Sequence, residues 1–266
     1  MKFKLDDYAK AFETFTKSTT QHRDAINYIT NNILSKTDVK KLKNNGWRVL
    51  DIGAGVGDEI IPIIKFLNSY GNTKLFALGP SKKELDTFEG RIEEAGIDAK
   101  IIRSNWEKYE PKVKFDFIIA SHVFYHIKNW ETMIPKVIDS LNDNGVAIIT
   151  LHTQNNIVYR LPTKLRHKMS TNLEKKHEHS AKELCKLLDN IKNNFNITYD
   201  IETVKNKIDI TNCKKMNQGG KNLTEFFLLY PYSKIDDNLK KQIIDYFNSL
   251  PDVITKEVAH IWIFKK

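Results

Sequence analysis

The hydrophobic positions of the chain form two kinds of run, one with a helical period and one short and continuous. In the first forty residues apolar side chains recur about every 3.6 positions, which predicts one or two amphipathic helices. Short apolar runs bounded by polar or glycine residues predict strands at 48–53, 74–78, 99–103, 115–120 and 146–151. Helical patterns between them predict helices at 58–67, 82–95 and 130–141.

The pattern changes after the last of these strands. Residues 153–178 are polar and irregular, which indicates an insertion or lid, and a helix over 180–191 then begins at a Ser180 cap. Runs at 197–210 and 258–264 predict closing strands. The alternation of strands and helices predicts an α/β fold, a doubly wound and mostly parallel sheet. We expect an N-terminal helical cap over 1–45, a core over 46–152, and an insertion with closing strands of the same domain over 153–266.

Composition excludes several classes of protein. Of the 266 residues 41% are hydrophobic and 28% charged, which is typical of a soluble globular chain. The N-terminal residues are charged and no run reaches the ~18 apolar residues of a membrane span, so we predict a cytoplasmic protein without a membrane partner. The formal net charge is +9, but the lysines are spread along the chain among acidic residues, so we expect no nucleic-acid partner.

A glycine-rich segment follows the first predicted strand. Gly53, Gly55 and Gly57 lie at the carboxyl end of that strand, where open α/β sheets bind ligands, and glycine lets the backbone turn sharply and approach a ligand. The spacing is G-x-G-x-G rather than the G-x-G-x-x-G of dinucleotide sites, and Asp58 and Glu59 follow directly. Two carboxylates repel a pyrophosphate but tolerate a cationic sulfonium, so the segment favours S-adenosylmethionine over NAD. Predicted cofactor contacts here are Asp51, Gly53, Ala54, Gly55, Gly57 and Asp58.

This motif resembles the first motif of the class I methyltransferases. That resemblance implies a seven-stranded Rossmann-like fold whose last strand is antiparallel. Within the class the chain is similar to the histamine N-methyltransferase family in segments 7–15, 18–22, 79–81, 115–126 and 180–184. The family resemblance implies that N-terminal helices cover the substrate pocket, that Tyr8 and Phe12 line it, and that Pro80 and Ser81 contact the cofactor.

The chain departs from that family at two positions. Gly79 stands where the family has an acidic ribose ligand, so Asp58 or a water is expected to serve instead. Gln21 stands where a glutamate meets the substrate ammonium, while Glu257 falls at a polar pocket position, so that a carboxylate is expected on the other side of the site. These differences favour a related amine or a zwitterionic amino-acid derivative over histamine as the methyl acceptor.

Polar and aromatic residues follow the third and fourth predicted strands. Asn105 and Trp106 suit adenine, an amide for the ring nitrogens and an indole for stacking, or else form a surface turn anchored by the Trp. Ser121 is expected to contact the cofactor. His122 is a candidate base that hydrogen-bonds the acceptor, or a loop histidine without a role. Tyr125 and His126 are candidate pocket residues.

The sequence predicts an S-adenosylmethionine-dependent enzyme that methylates a small molecule, most simply the nitrogen of an amine or amino-acid derivative. His122 and Glu257 are the expected proton acceptors. We predict no metal site, because His177 and His179 lack partners at ligand spacing. Two alternatives stay open, an RNA methyltransferase suggested by the positive charge and a non-catalytic binding module suggested by Gly79. The sequence makes no prediction of oligomeric state.

Overall fold

A computed structural model describes the backbone of residues 5–157, 160–161 and 179–266, and the side chains of these ranges from residue 10 onward. By its internal contacts the chain forms two compact units. Unit 1 comprises Met1–Asp24, His152–Glu178 and Val204–Val258, and unit 2 comprises Ala25–Leu151, His179–Thr203 and Ala259–Lys266. The domain boundaries expected from the sequence stay predictions.

Unit 2 contains the α/β elements. In chain order these are α2 (Gln21–Ile33), α3 (Val39–Asn45), β1 (Trp47–Ile52), α4 (Ile60–Asn68), β2 (Thr73–Gly79), α5 (Lys82–Glu94), β3 (Ala99–Arg103), β4 (Phe115–Ser121), α6 (Trp130–Asp139), β5 (Leu141–His152) and α7 (Ala181–Ile191). The part of α2 from Ala25 onward belongs to unit 2. The strands β6 (Ile197–Asp209) and β7 (Val253–Lys265) run through both units.

The seven strands form one sheet in the order β3-β2-β1-β4-β5-β7-β6. Strand β1 pairs in parallel with both β2 and β4, β2 with β3, and β4 with β5. The order reverses beside β1, which creates the crevice where sheets of this type bind ligands at the carboxyl ends of their strands. The predicted fold class, a doubly wound seven-stranded sheet, is confirmed.

The core strands are buried on both faces because their sequences are almost continuously apolar. All seven residues of β4 except Ser121 are buried, and in β2 only Lys74 is exposed. Helix α4 buries Ile60, Ile64 and Leu67 against the sheet residues of the same cluster. Predicted helix α7 begins at its Ser180 cap as expected, where the Ser180 backbone N–H donates to the Glu183 carboxylate at 2.9 Å.

Unit 1 contains α1 (Leu5–Ser18) and three helices between β6 and β7, namely α8 (Thr211–Lys215), α9 (Gln218–Leu228) and α10 (Asp237–Asn248). Its core is aromatic, with Phe15 stacked on Phe226 at 4.1 Å between ring centroids. No helix is predicted from the sequence over 211–248. The pair Gly219–Gly220 disfavours a helix by about 1 kcal/mol per glycine, yet Gly220 is required because a Cβ there would lie 1.9 Å from the Asn212 carbonyl oxygen.

The expected insertion at 153–178 falls largely outside the described residues, which include only 153–157 and 160–161 of it. Strand β5 begins at Leu141, earlier than the predicted 146, because Leu141 pairs with Phe115 across an irregularity in the ladder. The described helices contain no segment long and apolar enough to cross a membrane.

A buried histidine lies in the sheet of unit 2. The Nδ1 atom of His260 lies 3.0 Å from Thr150 Oγ1, and its ring stacks on Tyr28 at 4.3 Å between centroids. The Tyr28 hydroxyl in turn accepts a hydrogen bond from Trp262 Nε1 at 2.9 Å. Burial lowers the pKa of His260 from 6.5 to about 3, because an imidazolium loses hydration there.

His260 therefore makes stability depend on pH. Between about pH 6.5 and pH 3 the unfolded chain binds a proton that the folded chain does not, so stability is lost as the pH falls through this window. The loss reaches at most about 1.4 kcal/mol per pH unit. Urea unfolding of wild type and His260→Gln at neutral and mildly acidic pH measures it. The variant, which stays neutral, should lose less stability on acidification; an equal loss in both proteins would contradict the assignment.

Candidate active site

A loop of three left-handed glycines lies between β1 and α4. Gly53, Gly55 and Gly57 have φ values of +85°, +53° and +85°. The backbone N–H groups of Gly53 and Ala54 both donate to the Leu78 carbonyl at the end of β2, at 2.8 and 2.9 Å. The loop is thereby held at the carboxyl edge of the sheet, at the point where the strand order reverses.

The three glycines are required for different reasons. A Cβ on Gly53 would lie 2.6 Å from Val123 Cγ2, and one on Gly57 would lie 2.3 Å from Phe88 Cδ2. A Cβ on Gly55 would meet no atom within 4 Å. Gly53 and Gly57 thus permit close packing with other elements of unit 2, whereas the space above Gly55 is open to a ligand.

Two buried carboxyl groups flank the loop. Asp51 is 6% exposed at the end of β1, and Glu59 is 9% exposed immediately before α4. Burial raises the pKa of Asp51 to about 8, and the negative charge of Glu59 adds to the rise. A cation bound beside Asp51 would stabilise its ionised form, so this end of the loop suits an ammonium group.

Asp58, a predicted cofactor contact, binds another side chain of the protein. Its carboxylate lies 2.7 Å from the Arg91 guanidinium, which also donates to the Val56 carbonyl at 2.6 Å. Arg91 thereby ties α5 to the loop. The Asp58 side chain remains 42% exposed beside this ion pair.

The carboxyl end of β2 presents Gly79, Pro80 and Ser81. The Ser81 hydroxyl caps α5 by accepting the Glu84 backbone N–H at 3.3 Å. Pro80 is exposed. A Cβ on Gly79 would contact Leu85 at 3.4 Å. The neighbouring end of β3 carries Arg103, whose guanidinium bonds Asp86 and Glu89 of α5 at 2.9 and 2.8 Å.

The structure corrects the expected role of Trp106. Its ring is only 2% exposed and lies in the main core of unit 2, where the indole N–H donates to the Met133 carbonyl at 3.2 Å. The Lys136 ammonium lies 5.0 Å from its ring centroid. A ring so enclosed has no face for an adenine, so the anchoring alternative holds. Asn105 uses its side-chain oxygen to accept the Lys108 backbone N–H at 3.2 Å.

The turn after β4 packs on the glycine loop. Val123 packs directly on Gly53, where a Cβ would clash with it. This contact holds Ser121 and His122 at the same sheet edge. The Ser121 hydroxyl is buried and has no hydrogen-bond partner among the described residues. The Nδ1 atom of His122 lies 3.4 Å from the Tyr125 hydroxyl. His126 is exposed at the end of the following turn.

The remaining predicted substrate residues lie in unit 1. Phe12 packs on Phe226 and on the edge of His22. Gln21 is buried, and its side-chain oxygen accepts a hydrogen bond from the ammonium of Lys256. The side chain of Tyr8 lies outside the described residues.

The side chains of Glu257 and Gln21 bind different residues. Its carboxylate accepts from Asn155 Nδ2 at 3.5 Å. The side chain that meets Gln21 is Lys256, fully buried and 4.5 Å from the Phe15 ring centroid. Sequence reasoning missed this lysine, although a signal was present: in a strand residues i and i+2 share a face, and Lys256 lies between Ile254 and Val258, which are both buried.

Among the residues that the structure describes, no three His, Cys, Asp or Glu side chains come together as a metal site would require. His177 is outside the described residues. The absence of a metal site therefore stays a prediction.

The sheet order and the glycine loop at its carboxyl edge define a class I methyltransferase fold. A family model described as a methyltransferase domain matches residues 20–199, more than half of the chain. The chain belongs to this methyltransferase domain family.

Individual relatives are distant. The chain is 25% identical over 107 residues to (S)-coclaurine N-methyltransferase of Papaver somniferum, a match covering 40% of this chain and 29% of that protein. It is 23% identical over 129 residues to a ubiquinone biosynthesis O-methyltransferase of Rickettsia conorii, covering 48% and 43%. These matches span less than half of either relative's length.

Longer matches have lower identity. Histamine N-methyltransferase of Danio rerio is 22% identical over 261 residues, covering 90% of this chain and 86% of that protein. Among solved structures, the plantazolicin methyltransferase BamL in complex with a triazolic desmethylPZN analog and SAH superposes with a TM-score of 0.55. It is 18% identical and the superposition covers 97% of this chain and 90% of that one. This last likeness shows the fold.

The different surroundings of the glycines predict different costs of substitution. Gly55→Ala adds a methyl group in open space, so only its left-handed backbone is strained, at about 1 kcal/mol. Gly57→Ala adds the same strain and also a clash with Phe88, roughly 3 kcal/mol in total. Urea unfolding of the two variants, with the wild type as reference, measures both. Equal destabilisation would show that Phe88 makes room for the methyl group.

Proposed function

We propose that this chain is an S-adenosylmethionine-dependent methyltransferase that acts on a small-molecule acceptor. The observation that carries the proposal is the glycine loop, where open space over Gly55 lies beside the buried carboxyl groups of Asp51 and Glu59. Family membership and the SAH-bound structure of a protein of the same fold support it.

The residues at this edge fit the cofactor chemically. S-adenosylmethionine carries an ammonium and a sulfonium, and buried carboxylates stabilise positive charge while they would repel a pyrophosphate. Ser121 supplies a buried hydroxyl that lacks a partner among the described residues, and such a group is costly unless a ligand satisfies it. We assign cofactor contact to Asp51, to the loop backbone from Gly53 to Gly57, and to Ser121.

The ribose is expected to bind differently from the family pattern. Gly79 offers no carboxylate, and the Asp58 carboxylate already bonds Arg91. Asp58 is nonetheless partly exposed, and its carboxylate can still accept a hydrogen bond from a ribose hydroxyl, since a carboxylate has about four lone-pair sites. The assignment of Asp58, Pro80 and Ser81 to the cofactor stays part of the proposal.

The acceptor is proposed to be an amino-acid derivative that is methylated on nitrogen. The relatives include enzymes named for N- and for O-methylation, so the acceptor atom is a proposal. Gln21 stands where the histamine N-methyltransferase family has a glutamate, so it offers no negative charge to a purely cationic amine, and this favours an acceptor that bears its own carboxylate. Family resemblance assigns Phe12 and Gln21 to acceptor binding.

The bound cofactor supplies an electrophilic methyl group on sulfur. The chain then has to hold the acceptor's lone pair in line and take its proton. The position of His122, which follows β4 and lies beside the glycine loop through Val123, supports a role as the acceptor of that proton. We therefore propose His122 as the base.

Calorimetric titration of the whole chain with S-adenosylmethionine tests the cofactor assignment. We expect a Kd on the order of 10 µM. Gly55→Asp fills the open space of the proposed site with a side chain, and this obstruction should weaken binding at least about tenfold. Gly90→Asp is the matched control, because it adds the same charge in open space at an exposed position of α5. Absence of binding by the wild type would overturn the proposed function.

Transfer of a radiolabelled methyl group to pairs of amines with and without a carboxylate then tests the acceptor. Turnover of the carboxylate-bearing member supports the proposed acceptor class. Preference for the member without a carboxylate contradicts it. Cofactor binding without transfer to any acceptor indicates a binding module.

The raised pKa of Asp51 predicts proton-linked cofactor binding. Below about pH 8 the free protein holds a proton on Asp51, and a bound ammonium favours the carboxylate, so binding releases this proton. Affinity should rise as much as tenfold between about pH 6 and pH 7, below the range in which the ligand's own amino group titrates. Calorimetry in buffers of different ionisation enthalpy counts the protons. Asp51→Asn should abolish the release, whereas the exposed Asp98→Asn should keep it.

A further inference from the structure

The backbone of His122 is held in an unusual conformation. Its φ is +53°, in the left-handed region that residues with a Cβ seldom occupy. Its N–H donates to the Thr150 carbonyl of β5 at 3.0 Å, so the strand ladder imposes this turn. Residues strained in this way cluster at active sites and ligand clamps, where the surrounding structure holds them in place.

Tyr125 lies three residues further on, in a turn that is packed on the core. The turn is a single 3-10 helix, Phe124–His126, whose Phe124 side chain is fully buried. The Trp130 indole N–H, itself buried, donates to the carbonyls of Phe124 and Ile127 at 3.1 and 3.2 Å. The position of Tyr125 is thereby determined by the core of unit 2.

The two side chains meet. The Tyr125 hydroxyl is 3.4 Å from His122 Nδ1, and the rings lie 6.1 Å apart with 23° between their planes. The distance is long for a hydrogen bond, as catalytic hydrogen bonds often are before the ligands bind. A phenol hydroxyl can accept from an Nδ1–H or donate to an unprotonated Nδ1, and the role it takes fixes which nitrogen of the neutral imidazole carries the proton. Because Tyr125 occupies Nδ1, a His122 that acts as the base takes the proton at Nε2, which requires the first of these arrangements.

We propose that Tyr125 is a positioning residue that holds the Nδ1–H tautomer of His122, leaving Nε2 as the basic nitrogen. This inference rests on the proposed function, in which His122 takes the acceptor's proton. The Nδ1–H donates to the Tyr125 hydroxyl oxygen, which fixes the ring plane as well as the tautomer.

The step balances without another reactant. The acceptor's lone pair forms the new bond to the methyl carbon, the carbon–sulfur bond breaks, and its electron pair neutralises the sulfonium as a thioether. The acceptor's proton moves to Nε2 of His122, giving an imidazolium whose Nδ1–H still bonds Tyr125. Release of that proton to water restores the neutral ring.

The test is nitrogen NMR of the whole chain with ¹⁵N-labelled histidine, in wild type and Tyr125→Phe. His122→Gln identifies the His122 signals. We expect the wild type to show a protonated Nδ1 and an unprotonated Nε2 in the neutral ring, and Tyr125→Phe to show a tautomer mixture. Tyr199→Phe is the control, because it removes a phenol hydroxyl that bonds a backbone carbonyl, that of Cys185.

Kinetics provide the second readout, with the acceptor turned over best in the transfer assay. Tyr125→Phe should lower kcat roughly tenfold, part of the contribution of a general base, and leave the KM for S-adenosylmethionine unchanged. An unaltered His122 tautomer in Tyr125→Phe would overturn the inference, whether or not the wild type transfers methyl groups. A wild type with the expected tautomer but without cofactor binding would instead overturn the proposed function.

Discussion

The close approach of two chain segments to the glycine loop is the constraint on which the site depends. Val123 and Phe88 occupy the space where Gly53 and Gly57 would carry Cβ atoms. These contacts hold the loop against α5 and the turn that follows β4. Its three glycines keep a left-handed backbone conformation that would strain residues with a Cβ. The same contact places the turn that follows β4, with Ser121 and His122, beside the loop.

The two ends of the sheet in unit 2 use their polar groups differently. At the amino end, Asp116 is satisfied within the protein, since it accepts from the Arg48 backbone N–H at 2.8 Å and from Asn142 at 2.6 Å and pairs with Lys41. At the carboxyl end, Asp51 is buried with a raised pKa and the Ser121 hydroxyl lacks a partner among the described residues. Satisfied groups support the fold, whereas a buried polar group without a partner lowers stability unless a ligand satisfies it.

The proposed cofactor residues and Gln21 have neighbours of opposite charge. Glu59 brings negative charge to the glycine loop in unit 2, and the buried Asp51 beside it has a raised pKa and favours its ionised form when a cation binds. In unit 1 a buried ammonium, that of Lys256, bonds Gln21. In the proposed function the cationic cofactor binds in the first of these environments, since opposite charges attract most strongly where water is excluded.

The sequence by itself determined the strand and helix alternation, the glycine loop and the Ser180 cap, because each depends on residues close together in the chain. Only the tertiary structure decided which side chains meet. It buried Trp106 against Met133, turned Lys256 towards Gln21, and formed α9 despite Gly219 and Gly220. These outcomes depend on packing between segments far apart in the sequence, which local periodicity does not encode.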